Sequence, residues 1–339
     1  LHIGGTNGKG STAALAESVL RHSGRRTGLY TSPHLCTFGE RVRIEGQPAD
    51  RDLLEACARA VLPLAEREDA SFFESATVLA FEAFRRAGCD AVVAEVGLGG
   101  RLDATNVVIP RVTVITSVDT DHSDYLGDSL EAIAREKAGI LKPGVPAVVG
   151  PLEPGPLQVV VDRAQELGVP LDVWGRDVAA EDVRFGDDGT RFSYRSDGWA
   201  DGLAVRTRLI GIHQSINAAL AIRSIERTDW GVLAPDIQTG LSQADWPGRF
   251  EIVSGSSGSW VLDIAHNPAA IQALTEVLLR VPVPGPHVFL VAILGDKPWS
   301  EMLGPLQDAG EHVVLTIAPS SPMDRRWNVA DALDAVSYT

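Results

Sequence analysis

Apolar and polar positions along this chain follow two periods in turn. Leu1 and Ile3 open a short apolar strand that breaks at Gly4-Gly5. From Ser11 to Ser23 the spacing is helical, with Ala14, Leu15, Ser18, Val19 and His22 on one face and Gly24 placed to end the last turn. Thr27 to Tyr30 reads as a strand, and Arg51 to Glu66 as a helix through Leu53, Leu54, Cys57, Val61 and Leu62. Ser75 to Arg86 reads as another, through Val78, Leu79, Phe81, Glu82 and Phe84. Ala91 to Val96 and Val112 to Ser117 are continuous apolar runs of the kind buried on both faces. A helix from Ser129 to Ala138, capped by Asp128 with Glu131 three residues on, precedes a short strand, Ala147 to Val149. Strands and helices alternating in this way predict right-handed crossovers and a mainly parallel sheet.

The rhythm changes between Asp172 and Thr207. There Val183 to Phe185 and Arg191 to Tyr194 flank Gly186-Asp187-Asp188-Gly189 as an antiparallel hairpin. Helical spacing returns over His213 to Ile225 and Ala234 to Leu241. Trp246-Pro247-Gly248 breaks both periods and divides the chain into residues 1–246 and 247–339. Alternation then restarts: strand Trp260 to Ile264, helix Pro268 to Leu279, strand Val288 to Ile293, helix Trp299 to Leu306, strand Val313 to Ile317. The expected architecture is α/β, a large parallel-sheet domain followed by a smaller α/β domain.

Composition narrows the partners. The 45 acidic against 30 basic residues give a formal charge of −15, a field that repels nucleic acid and anionic membrane. An anionic ligand therefore needs a local basic pocket. No apolar run is long enough to cross a bilayer, and no signal peptide precedes the first strand. Cys36, Cys57 and Cys89 are odd in number and widely spaced. They fit neither a disulfide framework nor a metal knuckle, and point to a reducing cytoplasm. The chain opens without Met inside a strand and ends at Tyr338-Thr339, after helical spacing over Val329 to Val336, with no closing strand. The expectation is a chain trimmed at both ends.

The chemistry begins at Leu1 to Thr12, LHIGGTNGKGST. A strand, a glycine turn and a helix start let backbone N–H groups wrap an anion, with the helix N-terminus and Lys9 adding positive charge. A nucleotide phosphate site follows; a plain glycine turn is the alternative. Gly10 separates Lys9 from Ser11, unlike the usual P-loop, in which Ser or Thr follows the lysine directly. Ligands of open parallel sheets bind beyond the carboxyl ends of the strands. Three strand ends deliver Ser32, Glu95 and His122 to that edge. A carboxylate, a hydroxyl and an imidazole there could hold Mg²⁺ together with phosphate oxygens and water. A strand-end cap, a salt-bridged carboxylate and an exposed histidine are the bland readings of the same residues. Glu95 lies inside an apolar run, where a carboxylate without a partner is costly and a cation would offset the cost. Gly97 to Asn106, with Arg101 and Asp103, is either a loop facing the site or a plain connection. In the second domain Arg249, the segment Asp263 to Pro268, and Asp296-Lys297 occupy corresponding edge positions, expected to face an interdomain cleft. Helix initiation at Asn267-Pro268 and a solvated Lys297 explain the last two equally well.

Taken together the motifs resemble the folylpolyglutamate synthase and dihydrofolate synthase family, a branch of the Mur ligases. The resemblance runs over nearly the whole chain. It rests on GTNGKGST (Gly5 to Thr12), SPHL with FGERVRIEG (Ser32 to Gly46), SFFE (Ser71 to Glu74) and EVGLGGRLDATN (Glu95 to Asn106). It continues through Asp121-His122 with Leu126-Gly127, REKAGILK (Arg135 to Lys142), PGRFE (Pro247 to Glu251) and DIAHNP (Asp263 to Pro268). The glycine between Lys9 and Ser11 is itself a mark of this branch. The fold it implies is a P-loop-type, mainly parallel sheet domain of Mur ligase kind with a smaller C-terminal Rossmann-like domain.

The activity it implies is ATP-dependent amide ligation. ATP phosphorylates a carboxylate of dihydropteroate or folate, and L-glutamate displaces the phosphate. Carried over by position, Thr6, Asn7, Gly8, Lys9, Gly10 and Ser11 hold the ATP phosphates, and Ser32, Glu95 and His122 hold Mg²⁺. Lys137 matches a carbamylated lysine that helps hold a second Mg²⁺, where residue chemistry alone reads a surface helix position. Asn217, Arg249 and Asp263 match nucleotide-binding positions. His266, in the adjoining motif, joins Lys9 and Lys137 as a catalytic candidate. Ser71, Phe72, Phe73 and Glu74, with Leu102, Asp103 and Ala104, match segments that contact the pteroate. Pro298 stands where the family often has an acidic residue. The resemblance also implies a monomer. Two rivals remain: a Mur-type ligase for another acceptor, against which PGRFE and SFFE argue, and a nucleotide-binding module without ligase chemistry, which would not need Arg249 or the Asp263 to His266 cluster.

Overall fold

The apolar runs pair into one sheet. The structure, a computed structural model, describes residues 1–120, 126–255, 258–281, 283, 285–319 and 321–335. In chain order its first part runs β1 (His2–Gly4), α1 (Lys9–His22), β2 (Thr27–Tyr30), β3 (Val42–Ile44), β4 (Gln47–Pro48), α2 (Arg51–Arg67), α3 (Phe72–Ala87), β5 (Ala91–Glu95), β6 (Thr113–Ile115), α4 (Leu130–Ala138), β7 (Ala147–Val149), α5 (Pro154–Leu167) and β8 (Leu171–Val173). These strands form an eight-stranded sheet in the order β4-β3-β2-β5-β1-β6-β7-β8. It is parallel from β2 to β8, and β3 and β4 run antiparallel at one edge. Because β1 sits between β5 and β6, the chain reverses its winding direction there, and a crevice opens at the carboxyl ends.

Then follow β9 (Val178–Gly186), β10 (Gly189–Ser196) and β11 (Leu203–Thr207), a three-stranded sheet, and helices α6 (Ile212–Glu226) and α7 (Ala234–Gln243). The second part holds β12 (Glu251–Gly255) paired antiparallel with β13 (Gly258–Leu262), then α8 (Pro268–Arg280), β14 (Val288–Val291), α9 (Trp299–Ala309), β15 (His312–Leu315) and α10 (Val329–Ala335). β14 and β15 are parallel. One compact unit comprises Leu1–Arg184, Thr190–Arg208 and Ile212–Asp245; the other comprises Phe185–Gly189, Leu209–Gly211 and Trp246–Thr339. Among the described residues no helix is long and apolar enough to cross a membrane.

Several boundaries differ from those the periodicity predicts, each for a local reason. α3 starts at Phe72 rather than Ser75. Ser71 Oγ accepts from the Glu74 N–H at 3.2 Å, and the Glu74 carboxylate accepts from the Ser71 N–H at 2.8 Å, a reciprocal capping box. α4 is capped by Ser129, not Asp128, through the Ala132 N–H at 3.2 Å. α5 and β8 carry no clear period in the sequence. α5 is defined instead by Pro154 in its first turn and Gly168 in the left-handed region (φ 62°) at its end. β13 stops at Leu262 and pairs with β12, a strand whose short length hid its alternation.

The one-sided face expected for α1 is also wrong. Every residue from Gly10 to Leu20 is buried, because α1 lies between the sheet and the pair α6 and α7. Small side chains allow this closeness. Ser18 Oγ donates to the Gly240 carbonyl at 2.7 Å, and a Cβ on Gly240 would lie 2.4 Å from Val19 Cα.

α6 is tethered to the sheet by a buried ion cluster. Arg223, 2% exposed, donates from Nε and Nη2 to the two Asp172 oxygens at 2.9 and 3.1 Å, and from Nη1 to Asp197 and Glu226. Arg227 also holds Asp172, at 2.5 and 2.6 Å. Burial pushes the Asp172 carboxyl upward, but the two guanidiniums outweigh it and hold it below 3.8.

Two outcomes follow. Gly240→Ala forces α1 and α7 apart and lowers stability by about 1–3 kcal/mol in urea unfolding. Asp172→Asn strands a buried guanidinium and costs about 3–5 kcal/mol at neutral pH. A carboxylate with a lowered folded pKa stabilises above its unfolded value, so the wild-type advantage narrows only as pH falls below 3.8. Unfolding curves at neutral and acid pH measure both.

Candidate active site

The glycine turn after β1 is held open by the end of β6. The Thr6 N–H donates to the Ser117 carbonyl at 2.9 Å and the Asn7 N–H to Ser117 Oγ at 2.9 Å, while Thr116 Oγ1 donates to the Asn7 carbonyl at 2.6 Å. Asp119 closes the turn: its N–H donates to Thr6 Oγ1 at 3.0 Å, and its carboxylate accepts from Asn7 Nδ2 at 3.1 Å. α1 then begins on Gly8, in the left-handed region at φ 84°. A helix that begins on glycine offers its first N–H groups to an anion rather than to its own side-chain cap. Lys9 folds back over the turn, with Nζ 2.9 Å from the Thr6 carbonyl. Asn217 of α6 packs against the same turn. Its Oδ1 accepts from Thr12 Oγ1 at 3.4 Å and would lie 2.4 Å from a Cβ on Gly8. Thus Thr6 to Ser11 and Asn217, far apart in sequence, are adjacent. Thr116, Ser117 and Asp119, missed in the sequence, build the turn from below; a strand ending in hydroxyls and a carboxylate was the available signal.

At the neighbouring strand ends Ser32 and Glu95 meet. The Ser32 N–H donates to Glu95 Oε2 at 3.0 Å, and Glu95 is buried. His122 lies outside the described residues. Among the described residues no three His, Cys, Asp or Glu side chains gather into a ready-made metal cage. A buried carboxylate beside a hydroxyl is nonetheless a hard-oxygen pair of the kind Mg²⁺ uses when phosphate and water complete its shell. The donor chemistry fits that ion.

Lys137 is not a surface residue. It is 3% exposed, on the buried side of α4. The Gly97 to Asn106 loop is a built structure rather than a plain connection. Asp103 accepts from the Leu98 N–H, the Thr105 N–H and Thr105 Oγ1 at 2.9, 2.9 and 2.5 Å. Thr105 Oγ1, so committed as a donor, accepts from His2 Nε2 at 2.8 Å. Burial keeps His2 neutral, pushed down to about 3. Leu102 at the loop tip is 80% exposed.

Ser71 and Glu74 are spent on the helix cap, and Glu74 is held below the usual carboxylate range by its bonds with Ser71. Phe73 packs on Tyr30, its ring where a Gly97 Cβ would otherwise sit. Phe72 is the exposed aromatic ring of the segment, with Phe38 edge-on at 6.2 Å and the Arg41 guanidinium 5.4 Å from its ring centre. Arg41 Nε also donates to His34 Nδ1 at 2.8 Å, a contact the sequence did not announce.

In the second unit Arg249, Asp263 and His266 converge. Asp263 accepts from the Phe250 and Ala265 N–H groups at 2.8 and 2.7 Å. Burial pushes its carboxyl upward, against those donors and the nearby Arg249 and His266 charges. Phe250 takes a left-handed conformation (φ 48°) with its ring buried, which turns the backbone beside Arg249. Arg249 Nη1 donates to the Gly248 carbonyl at 3.1 Å, and exposed His266 keeps Nδ1 2.9 Å from the Ile264 carbonyl. Lys297, open to either reading in the sequence, is buried.

Residues 3–225 match the Mur ligase middle domain, and residues 248–338 match the Mur ligase glutamate ligase domain. The chain is 37% identical over 334 residues to folylpolyglutamate synthase of Lacticaseibacillus casei, covering 95% of this chain and 77% of that protein. The chain belongs to the folylpolyglutamate synthase branch of the Mur ligase family. The dihydrofolate synthase/folylpolyglutamate synthase of Escherichia coli K12 is 38% identical over 299 residues, covering 87% of this chain and 67% of its own. A solved folylpolyglutamate synthase–AMPPCP–folate complex superposes with a TM-score of 0.86 at 35% identity, covering 98% of this chain and 83% of that one.

Gly8 provides the test of the turn. Gly8→Ala adds left-handed strain of about 1–2 kcal/mol and drives a methyl into Asn217. Affinity for an ATP analogue falls at least about tenfold in a fluorescence titration, whereas the distant Gly144→Ala, which has open space around it, leaves it unchanged.

Proposed function

We propose that this protein joins L-glutamate to the carboxylate of a folate or of dihydropteroate, driven by ATP. A carboxylate has no leaving group, and phosphorylation by ATP supplies one. The glutamate amine then attacks the acyl carbon, the C–O bond to phosphate breaks, and an amide, ADP and phosphate result. The observation that carries the reading is the placement at one sheet edge of the glycine turn with Lys9 and of Ser32 hydrogen-bonded to buried Glu95, in a chain so similar to a nucleotide- and folate-bound ligase.

Phosphoryl transfer needs mainly position and neutralised charge. Lys9 and the first turn of α1 take the phosphate charge, while Asn217 fixes the turn. Ser32 and Glu95, with His122, would hold Mg²⁺, which supplies further charge neutralisation when bound. Lys137, buried as a modified lysine would need to be, is the carbamylation candidate. Arg249 and Asp263 serve the nucleotide and His266 the adjoining chemistry, within a division of labour between residues 1–246 and 247–339. Of the segments Ser71 to Glu74 and Leu102 to Ala104, exposed Phe72 and Leu102 offer apolar surface suited to a planar pteroate. The net charge of −15 disfavours nucleic acid, and a cytoplasmic monomer completes the reading.

Phosphate release with ATP, Mg²⁺ and L-glutamate rises when dihydropteroate or tetrahydrofolate is added; no rise with either would leave only a nucleotide-binding module. Glu95→Ala loses Mg²⁺-dependent turnover by at least about a hundredfold, and unchanged turnover would remove Glu95 from the site.

A further inference from the structure

The loop after β5 and the last turn of α4 are fastened to each other along their length. The Arg101 N–H donates to the Glu136 carbonyl at 2.9 Å, and Arg101 Nε and Nη2 reach Glu136 Oε1 at 3.1 and 3.0 Å. Asn106 Nδ2 spans both segments, donating to the Arg101 carbonyl at 3.0 Å and the Gly139 carbonyl at 3.2 Å. Lys142 Nζ donates to the Asn106 carbonyl at 2.9 Å. The two backbones touch. A Cβ on Gly100 would lie 3.0 and 3.1 Å from the carbonyl oxygens of Glu136 and Lys137, and one on Gly139 would lie 2.6 Å from Arg101 Cα. These contacts fall on both sides of Lys137, so residues 100–106 and 136–142 behave as one body.

We propose that Arg101 is a positioning residue: through Glu136 it locks the helix turn carrying buried Lys137 to the loop whose tip is Leu102 to Ala104. A pteroate seated on that tip and Lys137 are then set in place together. This rests on the functional reading above. The pair itself is half-exposed, with Arg101 at 55% and Glu136 at 25% side-chain exposure, so it contributes little to stability. Its value lies in geometry. The forked guanidinium fixes both direction and distance to Glu136, which a lysine ammonium cannot reproduce. Small misplacements beside a reacting centre cost rate far out of proportion to stability.

The test uses Arg101→Lys and Glu136→Gln, singly and together, in the full chain. Each single change lowers kcat for glutamate addition to tetrahydrofolate about tenfold, with KM for ATP unchanged. The melting temperature stays within about 2 °C of wild type. The double variant is no slower than the slower single one, because both remove the same link. Hydrogen exchange reads the coupling without turnover. Tetrahydrofolate slows exchange over 100–106 and 136–142 together in the wild type, but in Arg101→Lys the slowing over 136–142 is reduced relative to that over 100–106. Unchanged kcat, additive losses, or equal protection of 136–142 in the variant would overturn the inference. A wild type that responds to neither tetrahydrofolate nor dihydropteroate removes the functional reading, and this inference with it.

Discussion

A glycine turn placed to wrap an anion must be held open from outside, and two of its own N–H groups, those of Thr6 and Asn7, are spent on that hold. Here the end of β6 does the holding. Gly5 and Gly8 are required twice over: both lie at positive φ, 144° and 84°, and both Cβ positions are already filled, by Thr116 Oγ1 at 2.0 Å and Asn217 Oδ1 at 2.4 Å. Much of the larger unit can be read as consequences of that constraint. Asn217 is useful only if α6 is fixed, and the buried Arg223–Asp172 cluster fixes it to β8. α1 carries the first turn only if it cannot shift, and its contact with Gly240 leaves it no room.

A second division runs through the segments expected to face the pteroate. Their polar side chains are engaged within their own segments: Ser71 and Glu74 in a helix cap at the surface, Asp103 with three donors of its own loop. Beside these engaged groups stand exposed apolar side chains, with Phe72 at 64% and Leu102 at 80% exposure. Satisfied polar groups make the supports rigid, and rigid supports let apolar faces meet a planar ring without an ordering cost. A residue can therefore belong to a binding segment without touching what is bound.

The parallel sheet was legible because its strands are short apolar runs separated by turn residues, and the phosphate turn because four glycines and a lysine gather directly between an apolar strand and a helix start. What sequence spacing hid has physical causes. α1 has no polar face to reveal it as buried, since small residues such as Ala13, Ala14 and Ser18 serve either surface. The start of α3 is legible in the sequence, as Ser71 and Glu74 stand at the capping-box interval. The burial of Lys137 could not be read from spacing, because a lysine on a helix is solvated unless the packing says otherwise. The β6 hydroxyls, by contrast, look like any strand end until the loop that rests on them is seen.

Net charge and local charge point in opposite directions, and the local arrangement decides. A molecule at −15 repels phosphates at a distance, yet screening limits that field to roughly 8 Å at physiological ionic strength. Inside that range the glycine turn presents Lys9 and a helix start, while the carboxylates near by are already engaged: Asp119 with Asn7, and Glu95 with the Ser32 N–H. An acidic group whose oxygens accept hydrogen bonds from the scaffold repels an anion less than its formal charge suggests, because its field is partly compensated by fixed dipoles. On the proposed function, a carboxylate buried at that edge as Glu95 is would favour a cation there, as the glycine turn would favour phosphate one strand away. On that reading the two sites would complement each other electrostatically across a single strand spacing.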